Sequence, residues 1–200
     1  MEMSGEQLIP APQQDTWRAL NDPQVLKACV PGCESIEPSG ENQYQVLMVA
    51  RVGPVSAKFK GKLTLSDVKP PDSYAIAFEG QGGAAGFAKG GAQVRLKEEN
   101  HQTRLAYDVK ASVGGKLAQI GSRLVDAAAK KVADDFFQNF TAYFAKKQEG
   151  HEDAAHDEDD HRPAPIPPDP DMPDVSKTTL AFFAAGALVV FGVAMVSLFG

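Results

Sequence analysis

Few residues of this chain have the types and spacing that catalysis requires. Cys29 and Cys33, in the segment CVPGC, are too few for a disulfide framework or a four-ligand zinc site, so we expect reduced thiols. His101 is the only histidine before residue 148, and it falls in a turn without a cysteine or serine partner. Three acidic residues have positions typical of helix caps or surface groups: Asp15, Asp22 and Glu34. The sequence therefore predicts no catalytic centre and no metal site.

A glycine-rich segment, GQGGAAGFAKGG from Gly80 to Gly91, contains the spacing G-x-G-x-x-A of a nucleotide-binding loop. A dinucleotide site needs a parallel strand before that loop and a helix after it. The flanking segments IAFE and AQVRL are both typical of strands. We therefore predict a flexible connection between neighbouring strands, with Phe87 as an exposed aromatic residue that gates a ligand site.

Charge divides the chain into two unlike parts. Residues 1–147 carry 18 Lys and Arg against 16 Asp and Glu, whereas residues 148–200 carry 2 against 10. The first part is nearly neutral, which argues against nucleic-acid binding. Lys58, Lys60 and Lys62 form a basic row on one strand face, which is either merely solvated or meets acidic headgroups or a partner. The histidines of the second part are five residues apart and resemble solvated spacers more than metal ligands: His151, His156 and His161.

The longest periodic segment before residue 148 predicts one helix from Gly115 to Lys147. Apolar residues recur there every three or four positions, at Leu117, Ile120, Leu124, Ala128, Val132, Phe136, Phe140 and Tyr143. No other helix of similar length precedes it, so its broad apolar face needs a sheet as partner.

The segments before this helix predict that sheet. After a short strand ending near Pro10, two short helices follow, the second capped by Asp22 with Pro23 in its first turn. Apolar and polar residues then alternate over five segments: 44–52, 57–65, 74–78, 92–96 and 105–113. We expect an α+β helix-grip fold, a curved antiparallel sheet wrapped around one long C-terminal helix, with an apolar cavity between the two layers.

The rest of the chain predicts a tether and an anchor. Residues 148–177 are acidic and rich in proline, as in a disordered linker whose flexible reach is roughly 30 Å. Leu180 to Phe199 contains no charged residue over 20 positions, the length of a transmembrane helix. We therefore expect a soluble domain at 1–147, a linker at 148–177 and a single-pass anchor at 178–200 in the cell inner membrane. Lys177 and the lack of a signal peptide favour the cytoplasmic side for the domain.

Three blocks of residues resemble the G-subunit family of carbon monoxide dehydrogenase, within the START-like (SRPBCC) helix-grip superfamily. They are ALNDPQVLKACVPGCESIE, RVGPVSAKFKGKLTLSDVKPPDSYAIAFEGQGGAAGFAKGGAQVRL and GGKLAQIGSRLVDAAAKKVADDFFQNF, and the resemblance covers about residues 2–146. It implies an accessory protein that is not an enzyme. It also implies association with an aerobic molybdenum-containing carbon monoxide dehydrogenase or related hydroxylase, which holds the redox cofactors, and recruitment of that enzyme to the membrane.

These expectations lead to two hypotheses. In the first, the domain recruits the dehydrogenase and binds a hydrophobic ligand, a respiratory quinone, so that electrons enter the respiratory chain. Six apolar residues are the predicted lining, from inward parity and position near the open end: Phe59, Phe78, Phe87, Leu117, Ile120 and Leu124. In the second, the chain is a scaffold without a ligand. A lipid-processing or cyclase-type enzyme is a third alternative, which the lack of a titratable cluster disfavours.

Overall fold

The computed structural model describes residues 1–52 and 55–152. Seven strands form one sheet: β1 Glu2–Ile9, β2 Cys33–Gly40, β3 Gln43–Val52, β4 Val55–Lys69, β5 Ser73–Gln81, β6 Phe87–Glu99 and β7 Gln102–Gly114. Within these described residues, four α-helices accompany the sheet: α1 Gln13–Leu20, α2 Pro23–Cys29, α3 Lys116–Gln119 and α4 Ser122–Glu152. All neighbouring strands are antiparallel, in the order β1-β7-β6-β5-β4-β3-β2. The predicted α+β architecture, an antiparallel sheet with a long C-terminal helix, is confirmed.

Alternation along β4 shows why the sheet has one dry and one wet face. Phe59, Leu63 and Leu65 are buried, while Lys60 and Lys62 between them are exposed. Side chains of successive strand residues point to opposite faces, so the apolar set meets the helix layer. The face that bears Lys60 and Lys62 is the outer face of the sheet.

A side-chain cap on α2 and a buried hydrogen bond before α1 fix the two N-terminal helices. The Asp22 carboxylate accepts hydrogen bonds from the backbone amides of Gln24, at 2.8 Å, and Val25, which caps α2 as predicted. Buried Thr103 donates to the Ala11 carbonyl at 2.7 Å. This bond joins the start of β7 to the segment that leads into α1.

The long C-terminal helix is broken, which corrects the prediction of a single helix from Gly115 to Lys147. Gly121 lies between α3 and α4 with φ of +93°, a left-handed value that glycine adopts without the steric cost of a Cβ. The inward face of α4 comprises nine buried residues: Val125, Ala128, Ala129, Val132, Ala133, Phe136, Phe137, Phe140 and Phe144. Its C-terminal half is aromatic, with the rings of Phe136 and Phe140 stacked at 5.3 Å. Aromatic pairs of this kind add to the stabilisation that burial provides.

Two predicted features fall largely beyond the described residues. Most of the proline-rich linker and the apolar segment Leu180 to Phe199 lie outside them, and the three-part division at 147 and 177 stays a prediction. Within residues 1–52 and 55–152, no helix combines the length and the apolar character needed to cross a bilayer.

Candidate functional site

A crevice of about 460 Å³ opens between α4 and the pair of strands β1 and β7. Its apolar lining includes Met3 from β1, and Ala129 and Phe137 from α4. Charged side chains surround this lining: Glu2, Glu6, Asp126, Lys130 and Asp134. Polar groups therefore make up most of the lining, and the apolar residues form one small patch within it.

Tyr107 of β7 contributes a phenol to the lining. Its ring stacks on Phe137 with the ring centres 5.6 Å apart, so β7 and α4 meet across the crevice. It also lies over Gly5 of the neighbouring strand, where a Cβ atom would stand only 2.5 Å from the Tyr107 hydroxyl oxygen. Gly5 therefore makes room for this phenol on the edge strand.

Burial and the nearby Asp134 carboxylate raise the pKa of Tyr107 above its ordinary value. The phenol is therefore protonated at neutral pH, and its hydroxyl can donate a hydrogen bond to a carbonyl oxygen. Lys130 reaches Asp134 at 3.2 Å on the exposed rim. The crevice thus places a hydrogen-bond donor beside a small apolar patch.

Three of the six residues predicted to line a ligand site are part of the packed core. Phe59 and Leu117 are completely buried, and Phe78 is almost so. Gly82 lies directly over Phe59, because a Cβ atom there would be 1.6 Å from the Phe59 ring. Ligand contact by these residues stays a prediction.

The other three predicted residues lie nearer the surface. Ile120 is half-buried against the core, whereas Leu124 is 51% exposed. Phe87 is 45% exposed, as predicted, but its pairing with Gly114 and Gln81 puts it on the outer face. The inward orientation expected for Phe87 and Leu124 is therefore wrong. Leu124 faces outward because the break at Gly121 changes the helical phase, so that Val125 faces the sheet instead. Phe87 faces outward because Ala88 is the first inward residue of β6.

The sequence alone does not single out the crevice residues. Gly5 and the polar residues Glu2, Glu6 and Gln7 interrupt the apolar alternation of β1, so most of it lacks the pattern of a strand. Tyr107 is predicted to face inward, but only as one residue of the alternation along β7. The pairing of Gly5 with Tyr107 is the signal that could reveal the site. It can be recognised only when the register of β1 on β7 is known.

The cysteines and the acidic residues offer little chemistry. Cys29 and Cys33 are free thiols, and burial raises the pKa of each to about 11. Few thiolates therefore form at neutral pH, and thiolate is the form that attacks or binds metals. In the part of the chain that the structure describes, no group of three His, Cys, Asp or Glu residues could hold a metal ion.

An antiparallel sheet that wraps a long C-terminal helix, with a crevice between the two, defines a helix-grip protein of the START-like type. The chain belongs to the CoxG family, the G-subunit family of carbon monoxide dehydrogenase, whose model matches residues 5–145. Family membership associates it with carbon monoxide dehydrogenase.

Solved structures support this assignment. A conserved protein from Geobacillus kaustophilus is 31% identical, with a TM-score of 0.69 over 73% of this chain and 96% of that protein. A protein from Thermus thermophilus is 17% identical, with a TM-score of 0.52 over 72% of this chain and 99% of its own. Ara h 8.0201 is 12% identical, with a TM-score of 0.52 over 73% and 98%. The last two show the fold alone. No curated protein sequence matches the chain.

Proposed function

We propose that this chain is a membrane-anchored accessory protein of carbon monoxide dehydrogenase or a related molybdenum hydroxylase. It recruits that enzyme to the cytoplasmic membrane and binds a hydrophobic ligand, a respiratory quinone, in the crevice between α4 and the strands β1 and β7. The redox centres belong to the partner, and the chain itself catalyses no reaction. Family membership and the apolar segment Leu180 to Phe199 support the recruitment, and the crevice supports the ligand.

The observation that supports the ligand proposal is a small apolar patch beside one phenol, in a crevice whose remaining lining is polar. A quinone is a flat apolar ring with two carbonyl acceptors. Met3, Ala129 and Phe137 provide apolar contact for such a ring, and the protonated Tyr107 provides a donor for one carbonyl. A soluble dehydrogenase has no direct route to a quinone dissolved in the bilayer, so a tethered domain that extracts one would connect the two.

The test is to fill the crevice from the edge strand, where a larger side chain disturbs the core least. The full chain is purified in mild detergent from native membranes as wild type, Met3→Trp and Leu8→Trp. Met3 lines the crevice, while Leu8 lies on the same strand, is exposed and points away from it. Organic extraction and mass spectrometry then measure quinone per chain.

We expect quinone to copurify with the wild type and with Leu8→Trp, and to fall at least severalfold in Met3→Trp. Dehydrogenase binding should persist in all three proteins. Equal quinone content in the two variants, or none in the wild type, would count against the ligand proposal and leave only the recruiting role.

One observation favours the second candidate, a scaffold without a ligand. The layer between helix and sheet is tightly filled, since Phe59, Leu63, Phe136 and Phe140 are completely buried. A scaffold would bind the dehydrogenase and hold it at the membrane, with a crevice that stays empty. Native chain that carries no quinone but still binds the dehydrogenase would identify this function.

A further inference from the structure

The outer face of the sheet bears a polar groove that the proposed ligand site does not use. Two depressions of about 700 and 370 Å³ share Lys62 and Glu79, so they form one continuous feature. Lysines from three strands line it: Lys60, Lys62, Lys89 and Lys110. We call this feature the lysine groove.

The lysines of this groove differ in whether they have an ionic partner. Lys110 pairs with Glu2 at 3.1 Å. In residues 1–52 and 55–152, by contrast, Lys60, Lys62 and Lys89 make no ion pair, although Glu79 is the direct cross-strand neighbour of two of them. Three lysines around one carboxylate leave a net positive charge, and hydroxyl groups of Thr64 and Ser112 line the same depression.

The chain itself contains a segment of opposite charge that begins where the described helix ends. Residues 153–174 hold eight Asp and Glu residues and one Arg. They follow α4 directly, because α4 ends at Glu152. Fully extended, 22 residues span roughly 75 Å, several times the radius of gyration of about 15 Å expected for a domain of 150 residues.

We propose that residues 153–174 bind in the lysine groove of the same chain. The segment is covalently tethered, so its effective concentration at the groove is on the order of millimolar, and weak exposed charge pairs then suffice for partial occupancy. Binding is electrostatic and therefore salt-sensitive.

Zero-length carbodiimide cross-linking of the full chain in detergent tests this directly, because it joins lysine amines only to carboxylates in contact. We expect peptides that join Lys60, Lys62 or Lys89 to residues 153–174 at low salt, and severalfold fewer of them at high salt, where exposed charges are screened. Mixing unlabelled with isotope-labelled chain separates links within a chain from links between chains. Links found only between chains would overturn the proposal.

Lysine reactivity gives a second measurement that does not depend on cross-linking. In a variant with Asp157, Glu158, Asp159 and Asp160 changed to Asn or Gln, acetylation of Lys60, Lys62 and Lys89 should be about threefold faster than in the wild type. Lys130 and Lys131 are the internal control, since they pair with Asp134 and Asp135 on α4 and should not change. Unchanged acetylation of the groove lysines would overturn the proposal, as would equal acceleration at the control lysines.

Discussion

At the residue scale, Tyr107 is the side chain on which the proposed ligand chemistry depends. It lies on β7 with its ring against Phe137, and only a glycine at position 5 leaves room for its hydroxyl. Burial and Asp134 raise its pKa, so the phenol is a donor throughout the neutral range. In the proposed function, this donor beside the apolar patch favours ligands that carry an acceptor.

Removing that hydroxyl should weaken ligand binding while leaving the fold intact. In Tyr107→Phe, the ring still packs on Phe137, but about 1 kcal/mol of hydrogen-bond energy is lost, which predicts a roughly three- to tenfold increase in the Kd for a short-chain quinone. Equilibrium dialysis of the full chain in detergent measures this Kd. Tyr143→Phe is the matched control, because Tyr143 lies on α4 and does not line the crevice. Equal Kd values for the two variants would contradict a role for the Tyr107 hydroxyl.

The reactivity of Cys33, the first residue of β2, tests whether burial raises the pKa of its thiol. Burial, partly offset by Lys27, raises its pKa from 9.0 to about 11, so at pH 8 about one thiol in a thousand is ionised. Alkylation by iodoacetamide, followed by peptide mass spectrometry, should be about 100-fold slower than for a thiol of pKa 9.0. The rate should rise about tenfold per pH unit up to about pH 10. Rapid alkylation at neutral pH would show instead that the thiolate is stabilised.

At the element scale, the break between α3 and α4 decides which residues of the long helix face the sheet. Leu117 on α3 is buried, yet Leu124, seven positions later, is half exposed, and Val125 is buried in its place. An unbroken helix would bring positions seven apart to nearly the same face. The left-handed backbone at Gly121 therefore lets both segments present apolar residues to the core.

Gly121→Ala should destabilise the domain by about 1–2 kcal/mol, the usual cost of a left-handed conformation for a residue with a Cβ. Space is not the cause, since a Cβ atom at this position would meet no atom within 4 Å. Urea unfolding measures the change. Gly40→Ala is the control, because its added Cβ makes ordinary contacts at 3.6 Å and it should change stability by less than about 0.5 kcal/mol. A stabilising Gly121→Ala would mean that a continuous helix is preferred.

How far the sequence predicts these elements follows from the range of the interactions involved. Asp22 and Pro23 predict α2, and the alternation from Phe59 to Leu65 predicts β4, because caps and pleats act on adjacent residues. The break at Gly121 is not predicted, since the residues on both sides keep a helical period. A cavity between helix and sheet is predicted, but the residues that line this crevice are not, because they depend on the pairing of Gly5 with Tyr107, which are distant in the chain. Local chemistry can be read from the sequence, and register across the sheet cannot.

At the scale of the whole molecule, the crevice and the lysine groove lie on opposite faces of the sheet and adjoin at residues 1 and 2. Met1 and Glu2 line both the crevice and the larger depression of the lysine groove. The Met1 amino group donates to the Ala111 carbonyl at 3.0 Å, which holds this corner on β7. A partner bound at the groove would therefore lie beside one end of the crevice.

The proposed membrane anchor predicts what happens when residues 178–200 are removed. A chain that stops at Lys177 keeps all described elements, yet it loses the only segment of 20 residues without a charge. We expect the wild type to stay in the membrane pellet after a wash at high salt or alkaline pH, and the truncated chain to move to the supernatant. The dehydrogenase should move to the supernatant as well, because recruitment requires one chain to contact both the membrane and the enzyme.

The control is a chain in which residues 178–200 are replaced by an unrelated apolar span of the same length. If the anchor acts only through the length of its apolar span, the chain with this replacement should again be found in the membrane pellet, together with the dehydrogenase. Electron transfer from carbon monoxide to membrane quinone should then be restored as well, because the tether again lets the crevice reach the bilayer. A truncated chain that still pellets with washed membranes would contradict the anchor.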